Sequence, residues 1–158
     1  MVLDQLATAA RASWRIEKSW TATLARDGSL FLCKPLTFMN RSGASIALIS
    51  SFYKILPAEI LVVLDDMALP LGRLRLRADG SAGGHNGLQS VLEHLGTQDV
   101  ARLRIGIGAA SPGEAVGHVL GRFALEEKAA LEQSLTRAVE AIGSAQKHGL
   151  ATAMNTYN

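Results

Sequence analysis

The chain has 158 residues, of which 48% are hydrophobic and 19% are charged. This length and composition suit one globular domain with a hydrophobic core and exclude an intrinsically disordered chain. Lysine and arginine number 16 against 14 acidic residues, and the net charge of +2 is too small to indicate a nucleic-acid partner by itself. No apolar run approaches the roughly 18 residues of a membrane span, and no signal peptide is recognisable. We therefore expect a cytoplasmic protein without membrane contact.

Cysteine and histidine give no sign of a disulfide or of a metal site. Cys33 is the only cysteine; it lies in the apolar run SLFLCKPL and is interpreted as a small buried hydrophobic residue. The four histidines and this cysteine lack the spacing of metal ligands. We expect no metal and no cofactor.

Hydrophobic periodicity divides the chain into alternating helices and strands. The predicted helices span residues 1–12, 42–54, 86–95 and 126–147, with a short helix after Gly149. The predicted strands span residues 19–26, 29–34, 60–64, 73–78 and 101–108. Asp27-Gly28 is a hairpin turn signal, Ser42 is the expected N-cap of its helix, and residues 112–121 are an expected mobile loop. The pattern predicts a single α/β domain over residues 1–158, with a mixed central sheet and helices on both faces in three layers.

Two carboxylates follow the most apolar of the predicted strands. The run EILVVLDD is continuously hydrophobic, which favours a buried central strand, and it ends in Asp65 and Asp66. Ligands of α/β proteins bind at the carboxyl ends of such strands. Asp65 could therefore hold a histidine tautomer, bind a metal or accept a hydroxyl proton. The alternative is a carboxylate that only accepts hydrogen bonds from loop N–H groups.

Two asparagines stand near predicted helix starts. Asn40 is either a helix cap or an amide that both donates to and accepts from a substrate. Asn86 follows Gly83, Gly84 and His85 at the start of the next helix. Glycines let a ligand approach the backbone, and a helix start presents N–H groups to an anion, although a plain helix entry is the alternative. The spacing matches neither a P-loop nor a dinucleotide-binding motif.

Arginines alternate with leucines in the stretch GRLRLRADG. A period of two places Arg73, Arg75 and Arg77 on one face of a strand, where three like charges repel one another. Phosphates would offset this charge, whereas a solvated edge strand that resists aggregation is the alternative. Arg102 and Arg104 repeat the pattern on a second strand.

Four sequence blocks together carry a resemblance to a known family. KPLTFMNRSG, EILVVLDDMALPLG, GSAGGHNGLQSV and RLRIGIG resemble, in sequence, order and spacing, the bacterial peptidyl-tRNA hydrolases, and the similarity covers residues 1–158. The resemblance implies a single α/β domain that acts as a monomer without a cofactor. It also implies hydrolysis of the ester between a peptide and the 3′ ribose of tRNA, with peptidyl-tRNA as the partner.

The resemblance also implies roles for single residues. Asn40 and Asn86 resemble the carboxamides that hold the peptide, the attacking water and the developing oxyanion, and Asp65 resembles the acid that orients the catalytic histidine. The expected substrate-binding residues besides the two asparagines are Phe38, Met39, Gly83, Gly84 and His85. The expected tRNA contacts are Arg75, Arg77 and Arg104. We expect the carboxamides and the carboxylate to gather around one groove flanked by the arginines.

One part of the family pattern has no counterpart in residues 1–158. The family begins with a strand, a Gly-Asn-Pro-Gly-like turn and a Thr-Arg-His-Asn segment whose histidine is the general base, and MVLDQLA resembles the helix that follows. The remaining histidines, His85, His94, His118 and His148, are poor substitutes for that base. We therefore expect the first central strand to be missing, Met1 to be an internal start, and this chain to have little or no activity as written.

Two other functions stay open at this point. A non-catalytic RNA-binding relative would keep the fold and the basic face, and the absent histidine favours it. Retention of Asn40, Asp65 and Asn86 favours an enzyme, since a binding module does not need these groups. A small-molecule hydrolase or a nucleotide-phosphate binder could use the glycine turn but would not need two arginine-bearing strands.

Overall fold

The structure is a computed structural model that describes residues 1–108 and 125–158, with side chains from residue 129 onward in the second range. These residues divide into two compact units. The first unit comprises Leu3–Val62 and Asp79–Ala101, with Met1; the second comprises Val63–Ala78 and Arg102–Asn158, with Val2. The predicted loop 112–121 lies outside the described residues.

Five helices and six strands account for the regular structure of the described residues. The helices are α1 (Val2–Ala9), α2 (Ser42–Tyr53), α3 (Asn86–Leu95), α4 (Leu125–His148) and α5 (Leu150–Tyr157). The strands are β1 (Arg15–Glu17), β2 (Ala22–Asp27), β3 (Leu30–Pro35), β4 (Leu61–Asp66), β5 (Leu74–Arg77) and β6 (Ala101–Gly106). The α/β fold class is confirmed, and each predicted helix and strand has its counterpart. Only β1 is unexpected, because three residues are too few for alternation to be recognised.

The strands β1, β2 and β3 form an antiparallel sheet in the first unit. On one face, Ala25 and Leu32 pack against Ala7 of α1. On the other face, Leu24 packs against Ile49 of α2. Neighbouring residues of a strand point to opposite faces, so an apolar side chain at both positions requires cover on both sides. Helices therefore lie on both faces of this sheet, although the described strands form two sheets where the sequence predicted a single mixed one.

Cys33 lies on the face of this sheet that α2 covers, where it packs against a cluster that includes Leu24 and Ile49. Burial raises the pKa of its thiol to about 12. The thiol is therefore protonated at neutral pH and is a poor nucleophile. This environment agrees with the interpretation of Cys33 as a small hydrophobic residue.

The strands β4, β6 and β5, in that order, form a second sheet. β5 and β6 are antiparallel, with Leu76 opposite Leu103, and both leucines are fully buried. Among the described strands β4 lies at an edge, with residues 61–63 half-buried, where the sequence predicted a buried central strand. Continuous hydrophobicity favours a strand but does not determine its position within a sheet.

The helices α4 and α5 complete the second unit. α4 buries Leu131, Leu135 and Ile142. Beyond α5, the Asn158 carboxamide accepts a hydrogen bond from the Leu76 N–H at 2.6 Å and donates one to the Leu76 carbonyl at 3.1 Å. It thus pairs with backbone groups of β5, the strand at the other edge of the sheet. In the part of the chain that the structure describes, no helix has both the length and the hydrophobicity to cross a membrane.

An ion pair joins α1 to the first sheet. Asp4 pairs with Lys34 of β3, and the Lys34 Nζ lies 4.2 Å from the centre of the Trp14 ring. The Lys34 ammonium, and after it the N-terminal ammonium, lowers the pKa of Asp4 from 3.8 to about 2. Because the folded-state pKa is lowered, the pair contributes stability above about pH 4, and this contribution is lost as the pH falls toward about 2.

Replacing Asp4→Asn is expected to remove this pH dependence. The Asp4 side chain is 48% exposed, so solvent screening limits the loss in unfolding free energy at pH 7 to less than about 1 kcal/mol. Urea unfolding at several values between about pH 7 and pH 2.5 measures the effect. Asp27→Asn, at the exposed end of β2 and without an ion pair to a described residue, is the matched control. An unchanged pH slope in the Asp4 variant would contradict the assignment.

Candidate functional site

Asn40 lies in a short 3-10 turn, Met39–Arg41, that leads directly into α2. Its side chain and those of Phe38 and Met39 are exposed. The N-cap of α2 is Arg41, so Asn40 does not cap this helix. The predicted N-cap, Ser42, is the first helical residue, and its Oγ donates to the Met39 carbonyl at 2.9 Å. The prediction is wrong by one residue because the turn and the helix are continuous.

The second asparagine stands at the start of α3. Gly83 and Gly84 have φ of 58° and 85°, in the left-handed region that favours glycine. His85 is the N-cap of α3, and its Nδ1 accepts a hydrogen bond from the Leu88 N–H at 3.1 Å. Asn86 is the first residue of the helix and is exposed. The glycine turn thus delivers an exposed carboxamide beside a histidine that is engaged in capping.

The two asparagines are the sequence neighbours of Met39 and Gly87, two residues that lie in close contact. A Cβ built on Gly87 would lie 2.5 Å from the Met39 Sδ, so the Met39 side chain occupies the space that a larger residue would need. Met39 precedes Asn40 and Gly87 follows Asn86, which places both carboxamides in the same part of the first unit. Neither carboxamide forms a hydrogen bond with another described residue. Both are therefore available to a ligand from the described part of the chain.

A second contact fixes α2 against α3. The Gly43 N–H donates to the Ser90 Oγ at 3.1 Å. A Cβ on Gly43 would lie 2.0 Å from the Ser90 carbonyl oxygen, so only glycine permits this approach. Ser90 was not among the candidate residues predicted from the sequence. A serine within the apolar face of α3 is the signal that could have drawn attention to it.

The two aspartates at the end of β4 have different environments. Asp65 is exposed and Asp66 is buried, because adjacent strand residues face opposite sides. The Asp66 Oδ1 accepts from the Ala68 N–H at 2.9 Å, and its Oδ2 lies 2.8 Å from the Arg104 Nη2. From the sequence, a role was predicted for Asp65 alone. A period of two could have shown that one of the pair would be buried and need a cation.

Arginines from two strands share one face of the second sheet. The register of β5 and β6 places Arg75 opposite Arg104 and Arg77 opposite Arg102. Residues directly opposite in an antiparallel pair lie on the same face. We call these four residues the arginine face. The predicted alternation is confirmed, since Arg75 and Arg77 are exposed and Leu74 and Leu76 are buried.

The charges of the arginine face are only partly offset. Like charges directly opposite each other destabilise a sheet. Asp66 neutralises Arg104, which is 30% exposed, and Arg102 is buried. Arg75 and Arg77 form no ion pair with a described residue. The two exposed guanidinium groups are therefore the ones most available to a phosphate or a carboxylate.

A hollow of about 370 Å³ adjoins this face within the second unit. It is lined by Leu69, Arg73, Leu74, Arg75, Arg77 and Asn158. The Arg73 Nη2 donates to the Asn158 backbone carbonyl at 3.0 Å, which fixes one of the three arginines. Such a basic hollow suits an anionic group. Across the described residues, no cluster of three or more His, Cys, Asp or Glu side chains is arranged to hold a metal ion.

A family model described as peptidyl-tRNA hydrolase matches residues 1–158. The chain belongs to the peptidyl-tRNA hydrolase family. Among its relatives, the peptidyl-tRNA hydrolase of Synechococcus sp. (strain JA-3-3Ab) is 48% identical over 163 residues, covering 100% of this chain and 72% of the relative. The peptidyl-tRNA hydrolase of Symbiobacterium thermophilum is 53% identical over 135 residues, covering 85% and 71%.

The fold comparison agrees with this family assignment. The crystal structure of peptidyl-tRNA hydrolase from Acinetobacter baumannii matches with a TM-score of 0.90 and 32% identity. The match covers 99% of the 158-residue chain and 82% of the Acinetobacter baumannii chain. The family resemblance carried by the four sequence blocks is thus confirmed by sequence and by fold.

Replacing Gly43→Ala is expected to force α2 and α3 apart. The new methyl group would meet backbone atoms of Ser90, which cannot rotate away, so the free energy of unfolding should fall by about 2 kcal/mol or more. Gly143→Ala in α4 is the matched control, because a Cβ there meets nothing within 4 Å. The control should be neutral or stabilising by up to about 1 kcal/mol, since alanine favours helix. Urea unfolding curves compare the variants, and equal stabilities would contradict the contact.

Proposed function

We propose that this family member hydrolyses the ester bond between peptide and tRNA in peptidyl-tRNA and so releases tRNA for reuse. The observation that carries the proposal is the pair of exposed carboxamides, Asn40 and Asn86, attached to the Met39–Gly87 contact. The family membership supports the same reaction.

The carboxamides are proposed to bind the reacting ester in the first unit. A carboxamide donates through its NH₂ group and accepts through its oxygen, so one can hold a peptide group or a water while the other donates to a carbonyl. Attack of water on the ester creates an oxyanion, and preorganised N–H donors stabilise that charge. Both side chains are exposed and are not bonded to other described residues, which leaves them available for these roles.

The residues around the carboxamides are proposed to bind the rest of the substrate. Phe38 and Met39 are exposed apolar side chains next to Asn40 and would contact the side chains of the peptide. Gly83 and Gly84 lack side chains, which lets the substrate approach the backbone before α3. His85 lies in the same turn. Because its Nδ1 already accepts a hydrogen bond from the Leu88 N–H, it is assigned to substrate binding and not to proton transfer.

Asp65 is proposed to orient the histidine that acts as general base and to stabilise its protonated form. Three histidines are described. His85 caps α3, and the Nδ1 of His94 lies 2.8 Å from the Ser90 carbonyl, so both rings have structural contacts that a general base would not need. His148 is the exposed last residue of α4, in the second unit. The family resemblance assigns the base to a Thr-Arg-His-Asn segment, which residues 1–158 do not contain.

Arg75, Arg77 and Arg104 are proposed to bind tRNA phosphates in the second unit. Each phosphate contact releases condensed counterions, which gives affinity without reading sequence. Arg75 and Arg77 are exposed and should contribute most, whereas Arg104 shares its charge with Asp66. We further propose that residues 1–158 act as one monomeric domain in the cytoplasm, where tRNA is used.

Removal of either carboxamide should impair hydrolysis. In residues 1–158 joined to a family segment with Thr-Arg-His-Asn, Asn40→Ala or Asn86→Ala is expected to lower kcat/KM by about 100-fold or more, the usual cost of losing one oxyanion donor. Release of labelled peptide from peptidyl-tRNA measures the rate. Asn155→Ala, an exposed carboxamide on α5, is the control and should leave the rate unchanged. Wild-type rates in both site variants would contradict the assignment.

A polypeptide of residues 1–158 separates the enzyme from its alternative. It is expected to bind peptidyl-tRNA but to release little peptide, and joining it to a family segment with Thr-Arg-His-Asn should restore release. Tight binding without release in both forms would favour the non-catalytic RNA-binding relative. Rapid release by residues 1–158 alone would mean that another group acts as the base.

The arginine face should determine the salt dependence of tRNA binding. Arg75→Ala is expected to weaken binding and to reduce the slope of log affinity against log salt by about 1, as for one lost phosphate contact. Titrations of uncharged tRNA at several salt concentrations measure this slope. Arg137→Ala, an exposed arginine on α4, is the control and should keep the wild-type slope. Equal slopes in all three proteins would exclude Arg75 as a phosphate contact.

A further inference from the structure

Helix α2 begins without a capping side chain from its own segment. Its N-cap residue, Arg41, forms no side-chain cap hydrogen bond. The first N–H groups of a helix have no acceptor within the helix, and a buried one must find an acceptor elsewhere. Gly43 is buried in this first turn, and its N–H donates to Ser90, 47 residues away in α3. The helix α3 thus supplies the cap that α2 lacks.

Ser90 is a polar residue in an apolar place. It is 3% exposed and lies among the buried residues Leu88, Val91 and Leu92 of α3. A buried hydroxyl is costly unless it is hydrogen-bonded, and the Gly43 N–H provides that bond. An alanine would be the better helix former at this position. The hydroxyl therefore serves the contact with α2 and not the stability of α3 itself.

Gly43 and Ser90, the two residues of this contact, follow the two asparagines in sequence by about one helical turn each. Gly43 follows Asn40 by three residues, and Ser90 follows Asn86 by four, against 3.6 residues for one turn of helix. The backbone of α2 cannot slide along α3 at this point, because the Gly43 Cα sits against the Ser90 carbonyl. The hydroxyl then fixes the direction in which the start of α2 points.

We propose that Ser90 is a positioning residue of the ester-hydrolysis site. By accepting the Gly43 N–H, its hydroxyl sets the distance and the angle between the carboxamides of Asn40 and Asn86. This inference rests on the proposed function for the roles of the two asparagines. It adds a residue that touches neither substrate nor water and that acts only through the packing of α2 on α3.

The position of two donors matters most when the oxyanion forms. A misplacement of about 1 Å in a catalytic group can lower a rate by about 100-fold. An interaction that is made only in the transition state affects kcat and leaves KM nearly unchanged. Loss of the Ser90 hydroxyl leaves the Gly43 N–H without its acceptor, so the start of α2 shifts or admits water. The expected signature is thus a fall in kcat at nearly constant KM.

Ser90→Ala is compared with Ser45→Ala in residues 1–158 joined to the family segment with Thr-Arg-His-Asn. Ser45 lies in α2, is 2% exposed, and its Oγ donates to the Thr21 carbonyl at 3.3 Å. Each variant removes one buried hydroxyl from the first unit, so the two should lose comparable stability, measured by urea unfolding. At a temperature where both stay folded, Ser90→Ala is expected to lower kcat by about 10-fold or more, while Ser45→Ala stays within about 2-fold. Equal kcat values in the two variants would overturn the inference.

Two further measurements test whether Ser90 acts through the asparagines. Amide hydrogen exchange should show faster exchange of the Gly43 N–H in Ser90→Ala than in Ser45→Ala. Combining Ser90→Ala with Asn40→Ala should lower kcat little further than Asn40→Ala alone, because a carboxamide that is already absent cannot be misplaced. Fully additive losses would overturn the proposed coupling. If Ser90→Ala does not fold, Ser90→Cys, with a weaker acceptor of similar shape, should show a smaller fall in kcat; wild-type kcat there counts against the inference.

These outcomes separate the inference from the proposed function. Failure of the unsubstituted fusion protein to release peptide would overturn the proposed function and this inference with it. A protein that is impaired by Asn40→Ala, but in which Ser90→Ala behaves like Ser45→Ala, would overturn the inference alone.

Discussion

The close approach of α2 to α3 is the constraint on which the first unit depends. The approach requires glycine at position 43, because any Cβ there would overlap the Ser90 carbonyl. It also requires a hydroxyl on α3 as the acceptor for a buried N–H of α2. With both conditions met, segments more than 40 residues apart in sequence, around Asn40 and Asn86, share one surface. A surface with two exposed carboxamides has the hydrogen-bonding capacity that ester hydrolysis needs.

The second unit is organised around a conflict between packing and charge. Leu74, Leu76 and Leu103 bury one face of the β5–β6 pair, each contributing about 1.5–3 kcal/mol of burial free energy. That burial holds the arginines of the opposite face at fixed and unfavourable spacing. Asp66 relieves one of these charges from within the protein. The exposed arginines lack such an internal partner among the described residues, which is the physical reason to expect a polyanion there.

The two units therefore illustrate two kinds of preorganisation. In the first, backbone packing presents neutral groups that donate and accept hydrogen bonds, and these can respond to a charge that develops during the reaction. In the second, a buried sheet face presents fixed charges that attract a substrate before the reaction begins. Cleavage of an ester attached to an RNA end calls for both, and the family membership of the chain agrees with that combination.

The local features of this protein could be predicted from its amino-acid sequence. Period-two alternation predicted the buried leucines and exposed arginines of β5, periodicity predicted the helices, and four short blocks identified the family. These predictions succeed because they depend on neighbours within a few residues. Three features depend on the tertiary fold and could not be predicted. They are the register that places Arg75 opposite Arg104, the ion pair between Asp66 and Arg104, and the hydrogen bond from the Gly43 N–H to the Ser90 Oγ. Each joins residues far apart in the chain, and neither propensity nor periodicity contains information about which distant backbone will supply an acceptor, a charge or an opposing strand.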